Sequence, residues 1–259
     1  MLLGVHSKAS NIASYAELGS YPIAVDIAVQ IIKYWMHMIQ ADRNSLLYDC
    51  YMYQMQQVNS EKCWMLTVKN ILCELGLEHI WYQQQVDNPN QFIENLKSKV
   101  KEVNRDKMKK QMYSDQERPK GRNKLRTYRL VKGAYGLEPY LINVRPLTSR
   151  KLITKLRVSA HDLQIERGRY HRPQKTPLAE RKCYFCGDIE DERHVVLWCQ
   201  KYSEDRKTLF NTLYLSEGFA FLQMDPDDKF IKIMQCSEKQ EGEAFAKFLN
   251  RVKDIRGKL

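Results

Sequence analysis

Residues 21–40, YPIAVDIAVQIIKYWMHMIQ, repeat apolar side chains every three or four positions, and that spacing decides the fold class. Ile27, Ile31, Tyr34, Trp35 and Met38 can share one helical face, and Pro22 is tolerated in a first turn. The same period continues outward. Residues 46–56, LLYDCYMYQMQ, read as a second helix, and Ser60 is placed to cap a third that ends near Gly76, with Cys63, Trp64, Val68, Ile71 and Leu72 inward. Asn88-Pro89 marks a fourth start, and Phe92, Leu96, Val100 and Val103 carry an apolar stripe that thins into charge by Lys110. The expectation is a mainly α protein whose residues 1–112 form an N-terminal helical bundle.

Downstream the pattern changes. Residues 114–123, SDQERPKGRN, are polar with Pro and Gly, and the tyrosines and breaks of 124–145 leave that stretch ambiguous, so 113–147 reads as a basic linker or loop. Thr148 or Ser149 can cap a helix with Leu152, Leu156 and Leu163 on one side and Arg150, Lys151, Lys155 and Arg157 largely elsewhere. Three more helical patterns follow, at about 204–213, 226–234 and 241–253, and no internal repeat is found.

Between them lies CYFCGDIEDERHVVLWC, residues 183–199, in which Cys183, Cys186, His194 and Cys199 stand at C-x2-C-x7-H-x4-C spacing. Three thiolates and an imidazole complete a tetrahedral zinc shell with no position left for water or substrate, so the metal expected is structural, Zn2+. A redox C-x-x-C pair would need a strand-turn-helix setting that the flanks do not offer, and chance clustering of core residues is the bland alternative. His194 and Cys199 would point about 140° apart on an ideal helix, so one of them must sit at a helix end or in irregular backbone. Residues 195–198 are expected to pack a dry shell around the metal. Residues 148–259 thus read as a small zinc-binding module flanked by helices.

The chain has 259 residues, 43% hydrophobic and 10% aromatic, with net charge +11, which fits a folded protein. Between Lys97 and Lys182, 25 Lys/Arg face 8 Asp/Glu, a net of +17, so the remainder carries −6. So concentrated a basic zone favours a polyanion, RNA or DNA, held with salt-sensitive affinity. The expected nucleic-acid contacts are Arg150, Lys151, Lys155 and Arg157 on the basic helix, then Arg167, Arg169, Arg172, Lys175, Arg181 and Lys182, with Tyr170, His171 or Tyr184 able to stack on bases. The ligand loop, with Asp188, Glu190, Asp191 and Glu192, should repel phosphate. No membrane span or secretory signal is read, and four dispersed cysteines beside the cluster suit a reducing interior, nuclear or cytoplasmic.

The run from Ser149 to Arg206, through LR-S-x-H-x-L-x-IE-x-GR-Y, the C-x2-C pair and the H-x4-C followed by a tyrosine, resembles the zinc-binding C-terminus of reverse transcriptases from LINE-like non-LTR retrotransposons. The opening segment, with AELG-x-YP from Ala16 and Lys33-Tyr34-Trp35, looks like the helical region after the polymerase in those proteins; together the two cover about half of the chain. The resemblance implies that Cys183, Cys186, His194 and Cys199 are the metal ligands and that the basic residues before them help hold element RNA or target DNA, with a retroelement protein as a possible partner. The family's hydrophobic-Ala-Asp-Asp polymerase motif is missing. The only paired aspartates are Asp227-Asp228, and no endonuclease constellation is found, so the expectation is a non-enzymatic post-polymerase fragment. A zinc-stabilised protein-interaction module and a non-functional relic are the other readings.

Overall fold

The computed structural model describes residues 3–6, 9–58, 60, 63–114 and 123–257; most of the polar segment expected as a linker, 115–122, lies outside them. The protein is mainly helical, with no sheet among the described residues, and two isolated bridges pair Leu18 with Leu137 and Lys182 with Ile189. No helix among them is long and apolar enough to cross a membrane. The chain divides into two compact units, residues 21–109 and residues 1–20 with 110–259.

The 21–109 unit contains α2 (Ala24–Ile39), α3 (Leu46–Gln56), α4 (Trp64–Glu74), α5 (Glu78–Gln83) and the part of α6 (Pro89–Tyr113) before the division. Its core is apolar and set by helical period: Val25, Val29, Ile32 and Trp35 of α2 meet Met65, Val68 and Leu72 of α4 and Leu96 and Val100 of α6. The face expected on α2 is corrected. Trp35 and Met38 are buried, but Ile27 and Tyr34 are exposed, because they border the polar stripe of Asp26, Gln30, Lys33 and His37 and the apolar arc of α2 is wider than its neighbours cover. The third helix is also entered differently: Cys63, in extended backbone, precedes Trp64, while Ser60 lies a turn earlier and accepts from the Cys63 amide through its carbonyl. Two ring groups share one amide, with Gln84 Oε1 accepting from Trp35 Nε1 at 3.3 Å and from the Tyr51 hydroxyl at 2.8 Å.

The other unit joins α1 (Asn11–Glu17) to α7 (Arg126–Val131), α8 (Pro139–Asn143), α9 (Leu147–Arg157), α10 (Gln164–Arg167), α11 (Ser203–Glu217), α12 (Phe219–Gln223), α13 (Pro226–Gln235) and α14 (Lys239–Arg256). Helix α14 packs on α8, α9 and α11, and α13 on α7, around Leu152, Ile153, Leu156, Phe230, Phe245 and Leu249. Residues 1–20 therefore belong with this unit, although the sequence reading assigned them to the first bundle. The cause is a buried ion cluster. Glu17 of α1 accepts from Arg157 Nη2 at 2.9 Å and from the Tyr140 hydroxyl at 2.5 Å, and Arg157 also binds Glu138 and the Met234 carbonyl. For the same reason residues 123–147 are more than a linker, since α7 and α8 bury Tyr128 and Tyr140 in the core.

A Cys3His candidate metal centre

The first ligand pair sits in a minimal hairpin. The Cys183 amide donates to the Asp188 carbonyl at 2.7 Å and the Gly187 amide to the Cys183 carbonyl at 3.0 Å, beside the Lys182–Ile189 bridge. Gly187 has φ +82° with open space around it, so backbone conformation and not crowding calls for glycine there. The hairpin is tied down from outside. The Ile165 amide donates to the Glu190 carbonyl at 3.0 Å, and Arg181 crosses back under Gly168 to the carbonyls of Ile165 and Thr176. A Cβ on Gly168 would meet the Arg181 side chain at 2.7 Å.

The second pair needs a wider turn than an α-helix supplies, and the backbone supplies it. Residues His194–Trp198 form a single π turn, closed by the Cys199 amide donating to the His194 carbonyl at 2.7 Å, five positions back. Cys199 follows directly after the turn, at φ −55° and ψ 120°, which meets the expectation of a residue at a helix end. Asp191 Oδ1 accepts the His194 amide at 2.9 Å, and the buried Arg206 guanidinium of α11 donates to the carbonyls of Val195, Val196 and Cys199 at 2.7–3.1 Å. Arg206 satisfies the orphan acceptors of this short turn, a role without a local motif in the sequence.

Together these supports bring the four ligand atoms within 4.8 Å of one another. Cys183 Sγ lies 3.9 Å from Cys199 Sγ, against roughly 3.8 Å between two sulfurs bound tetrahedrally at about 2.3 Å from zinc. Cys186 Sγ lies 3.2 Å from His194 Nε2. Three ligands are buried and Cys186 is exposed. Burial pushes the Cys183 thiol up to about 12 and raises that of Cys199, and it lowers His194, which favours the neutral imidazole that a metal ligand must be. The cluster is able to hold a metal ion.

The surroundings depart from expectation in three respects. Of the four acidic residues in the ligand loop only Asp188 is exposed; Glu190, Asp191 and Glu192 are buried. Glu192 accepts both Arg126 Nη2 contacts, at 2.6 and 2.8 Å, and a 2.8 Å contact with His161, while Glu190 meets Arg256 and the Gln164 amide. The loop is neutralised from inside, by arginines 66 positions away in sequence, and does not present a wall of negative charge. Second, Arg157 is fully buried and Arg181 nearly so, and Arg169 is occupied by Glu166 and the Asn123 carbonyl; as ion-paired or carbonyl-bound guanidiniums they do not offer a phosphate-facing surface. Third, Val195 and Val196 are buried but Trp198 is 52% exposed, so only half of the expected dry shell forms.

The remaining expected contacts are divided between helix and loop. Arg150, Lys151 and Lys155 of α9 are half-buried, and Arg150 donates to the Leu141 carbonyl at 2.9 Å. Arg167, Tyr170, Arg172, Lys175 and Lys182 are exposed along the segment that leads into Cys183, with Lys124 donating to the Tyr170 hydroxyl at 3.2 Å. No family model, no curated protein and no solved structure matches the chain.

Proposed function

We propose that the cluster holds a structural zinc ion and that the unit built around it binds RNA or DNA through the exposed 167–182 segment, as a non-polymerising fragment akin to the post-polymerase region of non-LTR retrotransposon reverse transcriptases. The observation that carries this reading is a juxtaposition: Arg167, Arg172, Lys175 and Lys182 are exposed immediately before a closed Cys3His cluster whose acidic loop is internally paired. Three soft thiolates with one imidazole in tetrahedral reach favour zinc over the oxygen-loving cations. Lysine and arginine at the surface bind phosphates by displacing counterions, without need of a pocket.

The test is metal content of the purified chain together with its affinity for single-stranded RNA and DNA across a salt series. One zinc per chain and a log–log slope of about −2 to −3 are expected, from three to four phosphates at about 0.7 each. Substituting Arg167, Arg172 and Lys175 with Gln should flatten the slope by about 2. Absence of binding at low ionic strength sinks the nucleic-acid reading. A protein-interaction module is the second reading, and the exposed Leu215 and Phe219 at the α11–α12 junction favour it; selective protein capture without nucleic-acid retention would be its mark.

A further inference from the structure

A cavity of about 360 Å³ opens beside the metal hairpin, lined by Asp162, Arg167, Tyr184, Phe185, Ile255 and Arg256. That volume falls at the low end of small-ligand sites, about 300–1,000 Å³. Tyr184 and Phe185 stand between two metal ligands and remain 70% and 44% exposed, an unusual use of two large rings. Phe185 is held in place, edge-on to buried Tyr202 at 6.0 Å between ring centres and beneath Lys201 Nζ at 5.6 Å. Arg256 is engaged by Glu190 and by the Asp162 carbonyl. Arg167 is exposed at the rim and supplies the positive charge that faces solvent.

We propose that this cavity takes one unpaired nucleobase of a single-stranded nucleic acid, its face against Tyr184 or Phe185, its edge N–H groups toward the Asp162 carboxylate and the adjoining phosphate on Arg167. The proposal rests on the nucleic-acid reading above and makes it specific. Aromatic faces stack on any base, a carboxylate accepts from base amines, and a guanidinium meets phosphate, so the three chemistries of the lining match the three parts of a nucleotide. A base locked in a duplex cannot enter, which makes the site selective for single strands. An acidic peptide would meet Asp162 as a like charge and leave the rings without a flat partner.

The test uses the full zinc-loaded chain with a fluorescent 12-nucleotide single strand and the same sequence as a duplex. Tyr184→Ala, at an exposed position, should weaken single-strand binding by about 5- to 140-fold, the about 1–3 kcal/mol of one stacked base at about 1.4 kcal/mol per tenfold. Its salt slope and duplex affinity should not change, and Tyr184→Phe should restore binding. Arg167→Gln should lower the single-strand slope by about 0.7. If the wild-type chain binds no nucleic acid, the functional reading and this site fall together. If it binds with a steep salt slope but Tyr184→Ala has no effect, or weakens strand and duplex equally, the surface stands and the base site is overturned. A variant that loses a poly-glutamate peptide while retaining the oligonucleotide would assign the cavity to a protein and equally overturn the proposal.

Discussion

The two units differ in what holds them. Residues 21–109 contain ten Lys/Arg and ten Asp/Glu, so the whole net charge of +11 belongs to the other unit. The neutral unit is cemented by apolar side chains at helical spacing, with Ile32, Met65, Val68, Leu72 and Leu96 fully buried. The basic unit buries ions as well: Arg157 with Glu17 and Glu138, Arg126 with Glu166 and Glu192, Arg256 with Glu190. A buried ion pair roughly breaks even against apolar packing, but half of one is very costly, so such a unit is specified by complete partnerships and fails when one partner goes. The metal cluster follows the same logic with four partners.

Metal removal is the harshest way to break the contrast. With the proposed zinc in place, chelation or Cys183→Ser should forfeit a binding free energy on the order of 10 kcal/mol that is also local folding free energy. Hydrogen exchange should show residues 181–202 losing protection, with the hairpin, the π turn and the Arg206 contacts going together. Helices α2, α3 and α4 should keep theirs. Equal loss in both units would mean that the division at 20/21 and 109/110 is not an energetic one.

Arg157→Met comes next in size. The methionine approximates the stem, but Glu17 and Glu138 lose their shared cation inside the core, at a cost of about 3–5 kcal/mol. Denaturant titration should show the basic unit unfolding earlier. Adding Glu17→Gln to the same chain should recover most of the loss, since Glu17 then needs no counter-charge and Glu138 keeps Lys132. Ile32→Val in the neutral unit should cost only about 0.5–1.5 kcal/mol, as the loss of one buried methyl.

Acid distinguishes the units more gently. Burial alone would raise the Glu192 carboxyl, but Arg126 and His161 outweigh it and hold the group well below its ordinary value of 4.5. A depressed carboxyl contributes stability that is fully present above its unfolded value and is lost as pH falls through the folded one. The basic unit should therefore weaken as pH drops below about 5. Glu138, raised by burial, works in the opposite sense, so the informative quantity is the difference between wild type and Glu192→Gln. The variant should be less stable at pH 7, and the gap should narrow steadily under acid titration; a constant gap would refute the ionic account of Glu192.

Legibility in the sequence follows the same divide. Helix α3 was readable to the residue and α6 from its Asn-Pro start, because period and caps are local signals. The Cys3His cluster was legible for the same reason, all within one short stretch, and the five-residue spacing of His194 and Cys199 even called for the irregular turn that the backbone makes. What was not legible is long-range: Arg157 finds Glu17 across 140 positions, and Glu192 finds Arg126 across 66. Nothing in a window of sequence says that an arginine on a basic helix will be the one at zero exposure. Counting charge therefore overstated the exposed basic surface and overstated the exposed acidity of the Cys186–His194 loop as well.

The smallest effect tests the reading of local signals where it went wrong. Two serines stand before helices of the neutral unit. Ser45 precedes α3 in extended backbone and its hydroxyl accepts the Tyr48 amide at 3.2 Å, satisfying one of the donors that the first turn leaves open. Ser60 was read as the cap of the next helix, yet α4 begins at Trp64 behind Cys63, and the exposed Ser60 contributes a backbone carbonyl that any residue would supply. Ser45→Ala should cost about 1 kcal/mol of the neutral unit's stability in a urea titration, and Ser60→Ala should stay within about 0.5 kcal/mol. Equal costs at the two positions would return the cap to Ser60 and move the start of α4 a turn earlier.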